Sequence, residues 1–289
     1  MEILQQFNAL IWSWAETWRA FRRRVALTPF AIYAAAQVVV VFAIVRFAYP
    51  PFSSFVAPLL RRAFGEGALH YPTNFYFLRA AFGYADLPLW ILLGAATTAS
   101  AVYLFGAFFK GRRERFGTSW RAAGRRYLQV LAVTAIVVGL SQLLTRVPMV
   151  LGGHLADESP SAFRLLRFSS VLLTIIVQVL FIYAIPAIVL AGRRLGRSLL
   201  ESMRLALRSP VTSFFIVAVP TAFELIPLWL VRQTRVIVLR FSPEFMIVIM
   251  LIWVVVVFAM SYAIAGGATR FFLQATQSED GTVAEGRGE

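Results

Sequence analysis

The chain has 289 residues, of which 59% are hydrophobic and 15% charged, and its mean hydropathy is +0.72. Soluble domains carry about 25% charged residues, so these values exclude an ordinary soluble protein and predict a single polytopic membrane domain. The net charge is +14, and every basic residue except Lys110 is an arginine.

The arginines cluster at the ends of the apolar runs, where the residues that orient a membrane protein are found. They do not form the basic face of a soluble nucleic-acid-binding domain, so we expect no nucleic-acid partner. The bias towards arginine indicates a GC-rich bacterial genome and therefore a bacterial inner membrane. The lack of cysteine excludes disulfides and thiol chemistry.

Residues 1–24 are predicted to form a cytoplasmic amphipathic helix. Tryptophans on its apolar face favour a helix that lies in the membrane interface. A helix packed in a groove of a partner membrane subunit has the same pattern and is the alternative. The apolar face contains Leu4, Phe7, Leu10, Ile11, Trp14, Trp18 and Phe21.

The apolar runs are long enough to cross about 30 Å of hydrocarbon. They predict an all-α polytopic membrane protein with six transmembrane helices plus amphipathic interfacial helices. Residues 50–86 are too broken and too charged to span, and the polar, acidic tail at 274–289 is predicted to be disordered and cytoplasmic. The membrane domain, 25–273, has predicted spans at 27–49, 87–109, 128–151, 168–191, 211–231 and 245–268.

Six spans place both termini on one side, and the excess of arginines there predicts that both termini are cytoplasmic. Each odd-numbered span also follows a similar basic segment, at 18–22, 120–125 and 203–208. Three two-span repeats in one orientation explain this pattern. Independent convergence on a basic helix before a span explains it equally well.

A compact arginine-rich helix connects the fourth and fifth spans. Its leucines share one side and its arginines the other, so we expect it in the interface with its leucines in the acyl boundary. Its arginines are candidate ligands for the head group of an anionic lipid or a lipid-linked phosphate. The plainer role is an orientation signal. The candidates are Arg193, Arg197, Arg204 and Arg208.

The stretch from Pro186 to Pro210 combines a proline in an even-numbered span, a glycine after an apolar run, and Ser-Leu and Ser-x-x-Leu steps before the next span. The residues are Pro186, Gly192, Ser198-Leu199 and Ser202 to Leu205. The stretch resembles a broad group of bacterial six-span membrane proteins. The group includes the membrane domain of some glycerophosphoryl diester phosphodiesterases and several uncharacterised integral membrane families. The resemblance implies a six-helix fold and no catalytic residues, because the phosphodiesterase enzyme domain has no counterpart here.

Glu224 is the acidic residue predicted to lie well inside a span, between Pro220 and Pro227. Prolines free backbone carbonyls, and broken membrane helices often line binding sites. An intramembrane carboxylate suits a proton carrier or a cation partner. Structural pairing with a nearby arginine is the alternative, and the candidates are Arg46, Arg232 and Arg235.

The loop that contains His154, Asp157 and Glu158 is a poor metal set, and no cofactor or catalytic motif is recognised. We therefore expect no catalytic residues, no cofactor and no metal. The expected function is a non-enzymatic inner-membrane protein that acts in envelope or lipid organisation, with anionic lipids as partners, or as the membrane subunit of a complex. The alternative is a transporter or permease for a lipidic or small amphipathic substrate, with Glu224 in a fifth span broken by its prolines.

Overall fold

The structure is a computed structural model and describes residues 3–22, 24–152 and 159–285. Every regular element in these ranges is a helix. Six helices are long and apolar enough to cross a membrane, which confirms the all-α polytopic fold. They are Thr28–Val45, Asn74–Phe109, Phe116–Arg146, Pro160–Ala191, Pro210–Arg232 and Phe245–Gln277.

The helices are numbered along the chain, and a π-helical turn at Trp90–Gly94 connects the fourth to the fifth. They are α1 (Ile3–Phe21), α2 (Thr28–Val45), α3 (Val56–Phe64), α4 (Asn74–Leu89), α5 (Ala95–Phe109), α6 (Phe116–Leu151), α7 (Pro160–Phe181), α8 (Ala184–Ala191), α9 (Leu195–Arg208), α10 (Pro210–Arg232), α11 (Thr234–Arg240) and α12 (Phe245–Glu285).

The chain divides into two compact units that are each built from separate segments. The first unit contains Met1–Thr28, Ala95–Val219 and Ala263–Glu289. The second contains Pro29–Gly94 and Pro220–Tyr262. The hypothesis of three two-span repeats is not tested by this division and stays a prediction.

Small side chains let the helices of the first unit pack closely. On α5 the buried positions are mostly Ala, Ser, Thr and Gly, which bring membrane helices into close contact. Gly106 leaves room for the Leu190 side chain, which a Cβ at that position would meet at 2.5 Å. Ser100 Oγ lies 2.7 Å from Ser119 Oγ of α6. The small side chains of α5 therefore form a packing surface within the first unit.

Helix α1 packs against the other helices of the first unit with its small and polar face, and not with its aromatic face. Its buried residues are Gln6, Ala9, Leu10, Ser13, Thr17 and Ala20. The large apolar side chains point outwards; Leu4 is 79% exposed and Trp18 is 69% exposed. Gln6 Oε1 accepts the backbone N–H of Val211 at 3.0 Å, and the Gln6 carbonyl accepts the Thr212 hydroxyl at 2.8 Å. The bond from the Val211 N–H caps the first turn of α10, because a helix N-terminus leaves its first N–H groups without partners. The bond from the Thr212 hydroxyl ties the same turn to α1.

The core of the second unit is formed by α2, α4, α10, α11 and α12. Bulky residues dominate this core. The rings of Phe30 and Tyr262, also in the second unit, form an edge-to-face pair with their centroids 5.9 Å apart. The buried residues of the core are Val41, Phe75, Leu78, Phe82, Val231, Ile237, Val238, Met246, Ile249, Met250 and Val254.

The second span begins at Asn74, earlier than the predicted residue 87. The sequence places Pro88 after the single acid Asp86, which imitates the first turn of a helix. In the structure Pro88 lies inside α4, and the π-helical turn follows two residues later. A π-turn accommodates the disturbed hydrogen-bond ladder without ending the helix. The segment 74–86, which was predicted not to span the membrane, is therefore helical and continuous with the second span.

The fourth and fifth spans differ from the predictions in opposite ways. The fourth is interrupted between Phe181 and Ala184, just before Pro186. The fifth, predicted to be broken, is one continuous helix with Pro220 and Pro227 inside it. The predicted break in the fifth span is therefore wrong: Pro deletes one hydrogen bond, and a helix supported on either side can absorb that loss.

The last helix, α12, continues to Glu285 and so includes most of the tail that was predicted to be disordered. The polar tail follows an apolar helix without a proline, and the residues at 273–276 (Leu, Gln, Ala, Thr) do not stop a helix. Residues 286–289 lie outside the described part of the chain.

Candidate functional site

Helix α9 packs against the other helices of the first unit through a stripe of small residues. Ser198, Ser202 and Ala206 are its buried residues, whereas Leu200 is 57% exposed and Leu207 is 68% exposed. Leu195 and Leu199 instead pack against the core of the first unit. The expected position of the leucines in the acyl boundary stays a prediction. Sequence periodicity did not identify the serines as the buried face, because serine is polar and a helical wheel ranks it with the solvent side.

Ser202 bridges the interruption of the fourth span. Its hydroxyl donates to the Leu180 carbonyl at 2.7 Å and accepts the Tyr183 N–H at 3.1 Å. Pro186 has no N–H, so the carbonyl four residues before it loses its helical partner and the helix is weakened at that point. One side chain from α9 thus pairs two backbone groups at the end of α7.

The Tyr183 side chain connects the same interruption of the fourth span to two further helices. Its side chain is fully buried, its hydroxyl lies 2.8 Å from Ser213 Oγ of α10, and its ring is 5.7 Å from the Phe271 ring of α12. The junction therefore connects α7, α9, α10 and α12 through one tyrosine and two serines.

The four candidate arginines of the α9 region are not equivalent. Arg193 Nε lies 3.0 Å from Glu201 Oε2, although the atoms are not aligned as a hydrogen bond. Arg197, Arg204 and Arg208 are exposed. Arg204 and Arg208 are one helical turn apart and flank Leu207. The structure therefore places Arg193 beside a carboxylate before the first turn of α9, and Arg204 and Arg208 at the C-terminal end of the helix.

A wholly apolar groove lies next to that arginine pair. Its volume is about 490 Å³, and it is bordered by the last turns of α7, the end of α9 and the first two turns of α10. Ala206 and Leu207 form the α9 wall, and Phe215 forms part of the α10 wall. The Phe7 ring of α1 lies 5.7 Å from Phe215. The remaining lining residues are Ile176, Val179, Leu180, Pro210, Val211 and Phe214.

Glu224 lies in α10 and is half-buried, and Pro220 and Pro227 are buried in the same helix. Ion pairs within the described part of the chain include Arg19 with Glu16, Arg61 with Glu66, and Arg193 with Glu201. Glu224 belongs to none of these three, and both its structural pairing with an arginine and its role in transport stay predictions.

A second intramembrane carboxylate, which the sequence analysis did not identify, forms a polar cluster in the second unit. The Tyr33 hydroxyl donates to Asp86 Oδ1 at 2.7 Å, and Gln37 Nε2 donates to the same oxygen at 2.9 Å. Gln37 Nε2 also lies 3.2 Å from the Tyr33 oxygen. Two features of the sequence could have indicated this cluster. Asp86 is the one acid in an apolar stretch, and Gln37 is the polar residue at the middle of α2.

No group of three or more His, Cys, Asp or Glu side chains occurs in the part of the chain that the structure describes. The loop containing His154, Asp157 and Glu158 lies outside that part. The metal prediction for this loop is therefore not tested.

The fold and these sites define a multi-pass integral membrane protein, with buried polar contacts between helices within each of its two units. Comparison with protein-family models, curated proteins and solved structures finds no match. The resemblance of 186–210 to the six-span group therefore stays a prediction.

Proposed function

We propose that the protein is a non-enzymatic membrane protein that binds an anionic phospholipid, with one acyl chain in the apolar groove and the head group at Arg204 and Arg208. The observation that carries this proposal is the groove of about 490 Å³, whose lining is apolar throughout. Pockets for small ligands typically occupy about 300–1,000 Å³. A groove without a polar group in its lining suits a hydrocarbon chain better than a polar substrate.

The position of the groove supports a lipid and not another apolar ligand. It lies at the last turns of α7 and the first turns of α10, beside an amphipathic helix with Leu200 and Leu207 exposed. An interfacial helix lies at the boundary between head groups and acyl chains. A chain entering the groove from this boundary would leave its head group at the level of α9.

Charge complementarity supports an anionic head group. Arg204 and Arg208 are exposed on the helix that forms one wall. Guanidinium groups bind phosphate oxygens in pairs of parallel hydrogen bonds. In the proposed orientation α9 and both termini lie on the cytoplasmic side of a bacterial inner membrane, where anionic lipids attract basic segments. The role is then in envelope or lipid organisation.

The lipid proposal predicts selective retention of phosphatidylglycerol over phosphatidylcholine with the same acyl chains. Native mass spectrometry of the purified protein measures this ratio. The Arg204→Gln/Arg208→Gln variant should reduce the ratio towards one. The Arg112→Gln/Arg113→Gln variant, which removes the same charge from the exposed loop between α5 and α6, should leave it unchanged. Equal loss in both variants would mean that net charge, and not this site, retains the lipid.

The acyl part of the site is tested by a matched pair of tryptophan variants. Leu207→Trp adds bulk at the wall of the groove and should lower lipid retention. Leu200→Trp makes the same change seven residues earlier on the same exposed side of α9, away from the groove. It should leave retention unchanged. A stoichiometric second polypeptide that displaces the lipid would instead make the protein the membrane subunit of a complex.

A transporter that uses Glu224 remains the alternative from the sequence. Its support is weaker because α10 is continuous and does not have the predicted break at its prolines. Loss of substrate flux in Glu224→Gln with a retained fold would favour it over the lipid-binding role.

A further inference from the structure

The Tyr33–Gln37–Asp86 cluster lies at the centre of the membrane-crossing part of the second unit. Helix α2 has 18 residues, about 27 Å at 1.5 Å per residue, which is close to the thickness of the hydrocarbon layer. Gln37 is at its midpoint. Because Asp86 is hydrogen-bonded to Gln37, the carboxylate lies at the same depth, far from both ends of α2.

The cluster contains one carboxyl group, and the side chains bonded to it are not basic. Both donors contact Asp86 Oδ1, which leaves Oδ2 as the oxygen that these bonds do not engage. The ion pairs of the described residues do not include Asp86. A charge in the hydrocarbon is costly unless it is paired or neutralised, so the carboxylate requires a positive partner.

A second polar atom of the cluster also lacks a partner. Gln37 is 2% exposed, and its Oε1 has no hydrogen bond in the described structure. Buried polar atoms are almost always hydrogen-bonded, so an exception indicates a ligand or a functional role. The π-helical turn at Trp90–Gly94 begins four residues after Asp86, and the Trp90 ring lies 5.1 Å from the Tyr33 ring. Turns of this kind are frequent at functional sites.

We propose that Asp86, with Tyr33 and Gln37, binds a monovalent cation at mid-membrane, either a proton or Na⁺. Tyr33 and Gln37 act as positioning residues: their donors fix Oδ1 and direct Oδ2 towards the cation. This cation site lies in the second unit and shares no residue with the lipid groove, whose lining residues belong to the first unit.

The charged groups on the packed elements do not provide an alternative partner. On α4 the basic residue is Arg79, and on α11, which packs on α4, the basic residues are Arg235 and Arg240. Among the described residues, the side chains that hydrogen-bond to Asp86 are Tyr33 and Gln37, and neither carries a positive charge. The cation must therefore come from outside the cluster.

The test is covalent labelling of the intact protein in lipid nanodiscs with dicyclohexylcarbodiimide, an apolar reagent that reacts with protonated carboxyl groups. The carboxyl oxygen bonds to the carbodiimide carbon, and the carboxyl proton moves to a nitrogen. The adduct then rearranges to an N-acylurea with the whole reagent retained. Peptide mass spectrometry locates the adduct from about pH 6 to about pH 9, a range above the ordinary titration of an aspartate.

The proposal expects labelling of Asp86 that falls as the pH rises and is lost in Asp86→Asn. Protection by NaCl, compared with choline chloride, identifies Na⁺ as the occupant; equal labelling in both salts identifies the proton. Tyr33→Phe removes one donor from Oδ1 and should shift the labelling profile to higher pH, an effect that a merely structural tyrosine would not have. Glu224→Gln is the control and should leave Asp86 labelling unchanged.

Two results would overturn the proposal. One is an unlabelled Asp86 at every pH. The other is labelling that responds neither to pH nor to salt. Neither result bears on the lipid groove, because lipid retention is measured on different variants.

Discussion

Gly266→Ala is expected to lower the free energy of unfolding by about 1–3 kcal/mol, the usual cost of overpacking a tight core. A Cβ at this position would meet Thr17 Cγ2 inside van der Waals distance, Thr17 Oγ1 at 2.9 Å and Phe105 Cζ at 3.1 Å. Thr17 cannot move aside easily, because it is short, β-branched and buried, and its hydroxyl donates to the Ser13 carbonyl at 2.7 Å. Unfolding in SDS, followed by tryptophan fluorescence, measures the change.

Gly267→Ala is the matched control. Its added Cβ would lie 3.5 Å from Ile216 and 3.6 Å from Trp14, which are ordinary contacts. Alanine is a better helix former than glycine by up to about 1 kcal/mol, so this variant should be neutral or more stable. Adding Thr17→Ala to Gly266→Ala should recover part of the lost stability, because it removes the obstructing atoms. Equal effects at 266 and 267 would contradict the observed packing of α1 on α12.

Ser202→Ala is expected to cost about 1–3 kcal/mol, because it leaves the buried Tyr183 N–H and the Leu180 carbonyl without the partner that pairs them. The loss should be local as well as global. Amide hydrogen exchange at Tyr183 should rise by more than the global loss of stability explains, since its N–H is protected by this one hydroxyl.

Ser198→Ala separates the bridge from a general loss of a buried hydroxyl. Ser198 is as buried as Ser202 on the same helix, but its hydroxyl donates to Leu195 within α9 at 2.7 Å. Helix carbonyls keep their backbone partners when such a side chain is removed, so Ser198→Ala should cost little. If both variants lose the same stability, the bridge across the fourth span has no special role.

The six spans and their order could be predicted because each is a long apolar run that the hydrocarbon thickness selects. The predicted interfacial helices at the N-terminus and at 193–208 are also present as α1 and α9. The boundaries were less certain wherever a proline occurred. Pro88, Pro186 and Pro227 all lack a backbone N–H, yet their helices respond differently. The helix at Pro88 continues into a π-helical turn, the span at Pro186 is interrupted, and the helix at Pro227 is regular throughout.

The candidate sites were predicted only in part for a related reason. Glu224 and the arginines stand out in the sequence because charge in or beside an apolar run is rare. Asp86 did not, because the helix was expected to begin one residue after it. Its contact with Tyr33 and Gln37 joins residues far apart in the chain, and no local pattern specifies such a pair.

The sequence by itself determined the class of the protein: an all-α membrane domain with six spans and basic interfacial helices, since hydropathy depends on composition along the chain. Only the tertiary structure decided which faces are buried. Ser198, Ser202 and Thr17 lie in close contacts because small side chains let helices approach, whereas Leu207 and Trp18 remain exposed. In a membrane the lipid is as apolar as leucine, so hydrophobicity does not rank the faces, and close packing does.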